Sequence, residues 1–241
     1  ARLLGPGDGQ PRLTAAGPDL AARLRLWAPA AVVEGAEARA AADEAEAQAL
    51  AVEHALPGGG SIAVEPTRAL VAVDVDLGAR PGADAGRRSV SANLTALKEA
   101  ARLLRLKGLG GLVVIDLVGG GQDGPTLLAA AKAAFTPDEP GVSLGPVSRF
   151  GTLTLALPHR WRPLADTLLD DRGQPTHRTL AHRLVRALER EGRGDPGGRF
   201  IALASEEVAA AARPWVAALG PRFSLEAEVG RADPNTDIRA L

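Results

Sequence analysis

The amino-acid sequence predicts a mixed α/β (α+β) fold arranged in two lobes. Two mainly aliphatic runs, residues 70–76 and Gly111–Asp116, have the length and β-branched content of buried strands. A helical pattern separates them, from about residue 91 to about residue 106, with apolar residues along one face. Since the 241 residues exceed the usual size of one domain, two lobes are expected.

The elements before the first run are predicted from composition. They are a loose arm at 1–19, a short strand at 23–27, an Ala/Glu-rich helix at 34–55, and a hairpin of strands 61–65 and 69–75 that turns at 66–68. The run Pro57-Gly58-Gly59-Gly60 ends the helix. Because no Lys-Ser or Lys-Thr follows it, this run is not a phosphate-binding P-loop.

The elements after Asp116 alternate between helices and strands. Three glycines at 119–121 give the chain conformational freedom after the strand, and Pro125 begins a helix that ends near Phe135. The remaining predicted elements are an antiparallel pair at 142–147 and 149–157, a helix at 176–191, a strand at 200–204, a helix at 206–219 broken at Pro214, and strands at 223–229 and 238–241.

Composition excludes several kinds of site. The chain has no cysteine, so disulfides and thiolate metal sites cannot form. The four histidines, His54, His159, His177 and His182, lack the spacing of a zinc site, and no nucleophile elbow is present. No run of 18 apolar residues predicts a membrane span, and with no signal-like N-terminus a cytoplasmic location is expected.

Three aspartates are expected to converge where the two aliphatic strands end. Asp74 and Asp76 close the first strand, and Asp116 closes the second. Strands of this composition are expected to be covered on both faces, and the three carboxylates converge if the two strands are neighbours. Carboxylates so close together repel unless one is protonated or a cation lies between them, and such oxygen ligands suit Mg²⁺ or Mn²⁺. The alternative is that each aspartate caps the turn after its strand.

The segment between these strands is basic. It carries seven basic and two acidic residues, an excess of five positive charges in a chain of net charge −1. Carboxylates with metal ions beside guanidinium groups suit phosphodiester hydrolysis, whereas the alternative for the basic residues is a solvated helix face. The basic residues are Arg80, Arg87, Arg88, Lys98, Arg102, Arg105 and Lys107, and the acidic ones are Asp84 and Glu99.

Five segments follow one another along the chain in an informative order. They are Leu-Pro-Gly-Gly-Gly-Ser-Ile-Ala-Val at 56–64, Ala-Leu-Val-Ala-Val-Asp-Val-Asp at 69–76, Asn93-Leu94 with Ala100-Ala101-Arg102, the run 105–116 ending in Ile115-Asp116, and Ser148-Arg149-Phe150-Gly151. In this order they resemble the catalytic core of the ribonuclease E/G family. A haloacid dehalogenase phosphatase would also have Asp-x-Asp, but its following Gly-Thr is Leu77-Gly78 here.

The family resemblance implies a Mg²⁺-dependent endonuclease that cleaves single-stranded RNA and leaves a 5′-phosphate and a 3′-hydroxyl. It also implies a domain order. The expected regions are the arm at 1–19, a partial ribonuclease-H-like segment at 20–56, a DNase-I-like catalytic domain at 57–163, a linker at 164–175 and a small α/β domain at 176–241.

Site residues can be carried over by position. Asp74 and Asp116 fall on the family's two metal-ligand aspartates, Asp76 on a supporting asparagine, and Arg149 on an arginine near the active site. RNA contacts are then expected from Arg80, Lys98, Arg102, Arg105, Lys107 and Arg149.

The chain also departs from the family pattern. Thr95 and Thr154 replace two glutamates, and Val118-Gly119 replaces a further acid. The family's zinc link needs cysteines, so Mg²⁺, with Mn²⁺ as a substitute, is expected without zinc. The family's S1 domain and 5′-phosphate sensor have no counterpart in the sequence, so another chain is expected to supply RNA binding. Two hypotheses follow: a reduced endoribonuclease, or a degenerate relative that binds RNA or a protein partner without cleaving.

Overall fold

The computed structural model describes residues 13–14, 32–33, 35–79, 84–119 and 123–241. The predicted strand at 23–27 and most of the predicted arm lie outside these residues. The chain divides into two compact units, Ala1–Leu164 and Ala165–Leu241. Both units combine helices with sheets, so the mixed α/β class is confirmed. No helix among the described residues is long and apolar enough to cross a membrane.

The first unit is built around one mixed sheet. Its elements are β1 (Leu13–Thr14), β2 (Val32–Val33), α1 (Gly35–Leu50), β3 (Glu53–Ala55), β4 (Ser61–Pro66), β5 (Val71–Asp76), α2 (Ala85–Lys107), β6 (Gly111–Asp116), α3 (Gly124–Phe135), a 3₁₀ turn (Thr136–Asp138), β7 (Ser143–Val147) and β8 (Thr152–Leu157). Strands β1 and β2 pair with each other, and the other six follow the order β3-β4-β5-β6-β8-β7. Strands β5 and β6 are parallel, whereas the other neighbours in this sheet are antiparallel.

Helices α2 and α3 cover one face of this sheet. Along β5 the valines Val71, Val73 and Val75 are buried in the core, but Asp74 and Asp76 between them are exposed. The expectation that β5 and β6 are covered on both faces is therefore wrong. The physical reason is that a sheet with mainly antiparallel neighbours can leave one face open, unlike a sheet made of β-α-β repeats.

The helix before the glycine run is shorter than predicted. Helix α1 ends at Leu50, and residues 53–55 leave it to pair with 61–63 as the strand β3. Helix α2 is longer than predicted, because Asp84 caps its start by accepting hydrogen bonds from the backbone N–H groups of Gly86 and Arg87. Gly108, with a φ of 70°, ends it.

The second unit is a small three-stranded α/β assembly. Its elements are α4 (Ala165–Leu168), α5 (His177–Gly194), β9 (Phe200–Ala204), α6 (Glu206–Ala218), β10 (Phe223–Ala227) and β11 (Asp237–Ala240), with strand order β10-β9-β11. The predicted break at Pro214 is wrong, since α6 continues through it. The helix is held by core residues on both sides of the proline, among them Ala212 and Val216. The interval predicted as a linker holds α4 and a β-bridge between Leu169 and Pro175.

Candidate functional site

Asp74 and Asp116 lie directly opposite each other at the ends of β5 and β6. The register of these parallel strands pairs Val73 with Ile115 and Asp74 with Asp116. Adjacent strands are about 4.8 Å apart, so the two carboxylates leave neighbouring backbone positions. Both aspartates are exposed whereas Val73 and Ile115 are buried, so the carboxylates point away from the helices. We call this end of the sheet, with Asp74, Asp76 and Asp116, the carboxylate edge.

Short side chains flank the pair. Asp74 is in register with Ala63 of β4, and Asp116 is in register with Thr152 of β8. Neither neighbour is long enough to cover the carboxylates or to pair with them as a cation. The space in front of the two aspartates is therefore open to solvent and to a ligand.

Asp76 lies one pleat beyond the pair. It shares a face with Asp74 but is in register with Ser61, and it accepts a hydrogen bond from the backbone N–H of Gly78 at 3.2 Å. This is the turn-capping arrangement that the sequence left as the alternative. Among the described residues, no group of three or more Asp, Glu or His side chains could hold a metal ion. The expected three-carboxylate metal site is thus not found among the described residues, and the directly opposed pair Asp74 and Asp116 remains.

The chemistry of this pair fits Mg²⁺. That ion retains several waters and is commonly bound by one or two carboxylates together with phosphate oxygens, so a closed set of protein ligands is not required. Two exposed oxygen donors on neighbouring rigid strands satisfy this condition. Zinc sites in proteins usually include histidine or cysteine ligands, which this pair does not supply.

The glycine run positions the strand that carries Asp74 and Asp76. It forms the turn between β3 and β4, closed by a hydrogen bond from the Leu56 N–H to the Gly60 carbonyl at 2.9 Å. Gly60 has a φ of +83°, and a Cβ atom there would lie 2.3 Å from the Asp76 carbonyl oxygen. The turn therefore packs against the end of β5 so closely that only glycine fits.

Asn93 fixes the loop that follows Asp116. Its side chain is buried, donates to the Val118 carbonyl at 2.9 Å and accepts from the Val118 N–H at 3.0 Å. One turn earlier, Ser89 lies against Gly119, where an added Cβ would approach the serine Cβ to 2.9 Å. The N-terminal half of α2 thus holds the chain just beyond Asp116. An amide side chain, which is both a donor and an acceptor, is needed for this paired contact.

Arg149 lies in the turn between β7 and β8, next to the end of β6. The carbonyl of Gly151 in this turn accepts a hydrogen bond from the Leu117 N–H at 3.1 Å. Arg149 is exposed, and its guanidinium lies over the ring of Phe150. The structure therefore brings Arg149 to the same end of the sheet as Asp116.

Lys98, Arg102 and Arg105 of α2 do not reach the carboxylate edge. Arg102 forms an ion pair with Glu99, and Arg105 forms one with Asp138 at 2.7 Å. Lys98 is exposed on the same helix, which covers the face of the sheet opposite to Asp74 and Asp116. These positions contradict the expectation that Lys98, Arg102 and Arg105 hold RNA beside the aspartates. Arg80 lies outside the described residues.

Lys107 is also unavailable to RNA, because it is buried, with 6% of its surface exposed. Its ammonium donates hydrogen bonds to the carbonyls of Gln48, Ala49 and Ala51, at and beyond the end of α1. Burial lowers the pKa of Lys107 from 10.5 to about 8. The predicted RNA contact is therefore wrong, and the residue caps a helix instead.

Two residues near the edge were not singled out from the sequence. Arg88 begins α2 beside Ser89, and its Nε is buried with no hydrogen-bond partner among the described residues. Phe150 follows Arg149 and is 72% exposed. Position next to Arg149 was the signal available for Phe150, whereas nothing in the sequence separated Arg88 from the other basic residues of its segment.

Comparison with known proteins gives one family and several relatives. The model of the ribonuclease E/G family matches residues 14–157. Ribonuclease E of Haemophilus influenzae is 36% identical over 104 residues, which are 42% of this chain and 11% of the relative. Ribonuclease E of Escherichia coli is 36% identical over 107 residues, 42% of this chain and 10% of the relative. The chloroplastic ribonuclease E/G-like protein of Arabidopsis thaliana is 29% identical over 129 residues, 52% of this chain and 13% of the relative. The matched part is thus about a tenth of the length of these relatives.

Proposed function

Because the chain belongs to the ribonuclease E/G family, we propose that it is a metal-dependent endoribonuclease that cleaves single-stranded RNA at Asp74 and Asp116. The products are a 5′-phosphate and a 3′-hydroxyl. The observation that carries this proposal is the in-register pair of exposed carboxylates at the ends of two rigid strands. The family supports the reaction class, and the exposed pair supports this location for the site.

Each residue of the carboxylate edge would have a separate role in the reaction. Mg²⁺, or Mn²⁺ in its place, would be held by Asp74 and Asp116 and would polarise the phosphate and lower the pKa of a bound water. Asp76 supports the same end of β5, while Arg149 neutralises a phosphate oxygen. Asn93 fixes the loop after Asp116 and thereby helps to hold Asp116 in position. In the reaction a water oxygen bonds to phosphorus, the bond from phosphorus to O3′ breaks, and O3′ leaves with a proton.

Neutralising either aspartate tests this proposal. Asp74→Asn and Asp116→Asn keep the side-chain shape but remove the charge, so each is expected to abolish Mg²⁺-dependent cleavage of labelled single-stranded RNA. Like charges directly opposite each other in a sheet are destabilising. Without metal, the free energy of unfolding of each variant should therefore equal that of the wild type or exceed it by up to about 1 kcal/mol. The control is Glu65→Gln, which removes an exposed carboxylate of β4 on the same face, in register with Ala72.

A second readout does not depend on activity. Mg²⁺ should raise the unfolding temperature of the wild type and of Glu65→Gln, because it binds the native state alone, and should do so less for the two aspartate variants. Full cleavage by either aspartate variant, or identical Mg²⁺ stabilisation of all four proteins, would show that the pair is not the metal site.

A degenerate relative that binds without cleaving is the second candidate. Two threonines occupy family glutamate positions, and among the described residues no group of three acidic or histidine side chains could hold a metal ion. Thr154 is exposed in register with Val114, on the face that carries Asp116. Such a protein would bind single-stranded RNA equally well with Mg²⁺ or EDTA and release no product with either. An RNA-binding domain supplied by another chain in the cytoplasm is compatible with both candidates.

A further inference from the structure

The turn between β7 and β8 presents an exposed aromatic ring. Phe150 is 72% exposed, and the guanidinium carbon of Arg149 lies over its ring at 4.6 Å from the centroid. One exposed apolar residue is common on protein surfaces and carries no weight by itself. Its rigidity and its position decide what it can do.

Hydrogen bonds fix the backbone under the ring. The hydroxyl of Ser148 accepts from the backbone N–H groups of Phe150 and Thr152 at 3.2 and 3.1 Å, and it lies 2.7 Å from the Thr152 hydroxyl. The N–H of Gly151 donates to the Ser148 carbonyl at 3.0 Å. The turn is thus ordered before any ligand arrives, which lowers the entropy cost of binding.

The turn is also close to the carboxylate pair. Thr152 is in register with Asp116, and Gly151 accepts a hydrogen bond from Leu117. Two residues of chain and one strand spacing separate the Cα atoms of Phe150 and Asp116, so they are at most about 13 Å apart. A nucleotide next to a phosphate held at Asp116 is within reach of the ring.

We propose that Phe150, backed by Arg149, is a stacking platform for one unpaired base next to the phosphate that is cleaved. This inference rests on the proposed function and deepens it. The guanidinium covers part of the ring and supplies positive charge, while the exposed part of the ring offers a base an apolar surface. Bases inside a duplex are already stacked, so such a platform selects single strands. With aromatics at 3% of the chain and no tyrosine, alternatives are scarce.

Binding of a fluorescein-labelled oligoadenylate in EDTA tests the proposal without cleavage. Phe150→Ala is expected to weaken binding by about 5- to 150-fold, the range for losing one stacked base. Phe150→Trp should bind at least as tightly as the wild type. Trp161→Ala is the control, because it removes another exposed aromatic side chain, 60% exposed, from the same unit and is expected to bind like the wild type.

Abasic substitution separates stacking from a general defect. In a series of oligoadenylates, a different adenosine is replaced by an abasic nucleotide in each. The replacement at the position that stacks on Phe150 should weaken binding by the wild type and leave binding by Phe150→Ala unchanged. Equal binding by the wild type and Phe150→Ala, or no abasic position that removes their difference, would overturn the platform. If the wild type binds RNA and Phe150→Ala binds it equally well, this inference alone is refuted. If the wild type neither binds nor cleaves RNA, the proposed function is refuted.

Discussion

At the scale of single residues, Gly60 shows how the carboxylate edge depends on close backbone contact. A positive φ and a neighbouring carbonyl act together there, since a Cβ would lie 2.3 Å from the Asp76 carbonyl oxygen. The contact joins the turn before β4 to the end of β5. Any side chain at this position must push away the strand on which Asp74 and Asp76 are placed.

Gly60→Ala is therefore expected to cost more than the left-handed backbone alone, which costs about 1–2 kcal/mol for a residue with a Cβ. The clash should add about 1–3 kcal/mol and lower cleavage by displacing Asp74. The matched control is Gly173→Ala, because Gly173 also has a positive φ, +74°, but no atom within 4 Å of an added Cβ. Urea unfolding of both variants measures the difference. Equal losses would mean that the turn yields and does not hold β5.

The sequence predicted where Asp74 and Asp116 lie in the fold, but not where the basic side chains lie. Asp74 and Asp116 were predictable because each follows a buried aliphatic strand, and the two strands pair in parallel. Arg102 and Arg105 were misassigned because charge alone does not show which side of a helix faces a site. Both lie on a helix that covers the opposite face of the sheet and pair with local carboxylates.

At the scale of elements, the junction of α1 and α2 is held by a buried cation. Helix α1 leaves carbonyl groups without partners at its end, and the Lys107 ammonium from the end of α2 binds those of Ala49 and Ala51. Sequence patterns could not predict this contact, since it joins residues 56 or more positions apart. Lys107 is thereby a structural residue, although it occupies the basic segment.

The depressed pKa of Lys107 predicts a pH dependence of stability. The unfolded chain holds the proton up to about pH 10.5, whereas the native protein releases it near pH 8. Between these values the unfolded state binds more protons, so the free energy of unfolding rises with pH; below pH 8 the cost of burying the charge is constant. The full difference corresponds to about 3 kcal/mol.

Lys107→Met removes this titration. The stability of the wild type relative to this variant should increase between about pH 8 and about pH 10, as measured by urea unfolding at constant ionic strength. The background is favourable, because the chain has no Tyr or Cys to titrate in the same range. The control is Lys98→Met, which replaces an exposed lysine of the same helix. Its free energy of unfolding should change with pH in the same way as that of the wild type. A constant difference between wild type and Lys107→Met would contradict the buried charge.

At the scale of the first unit as a whole, the helices separate the basic residues from the carboxylates. The open face of the sheet carries Asp74 and Asp116, and the helical layer carries Lys98, Arg102 and Arg105. Arg149 lies in the turn beside the end of β6, and Arg88 lies in the first turn of α2, next to Ser89, which packs against Gly119 beyond Asp116. Phosphate binding at this edge should then involve few ionic contacts.

Salt dependence measures how many phosphates the protein neutralises. Each contact with a single strand adds about 0.7 to the slope of log K against log salt, so two contacts predict a slope near −1.4. RNA affinity measured between about 50 and 200 mM salt gives this slope. Arg149→Gln should reduce its magnitude by about 0.7, while Lys98→Gln on the helical layer should leave it unchanged. A much steeper slope that Lys98→Gln reduces would place the RNA along α2. That result would separate the RNA-binding surface from the carboxylates and favour the relative that binds without cleaving.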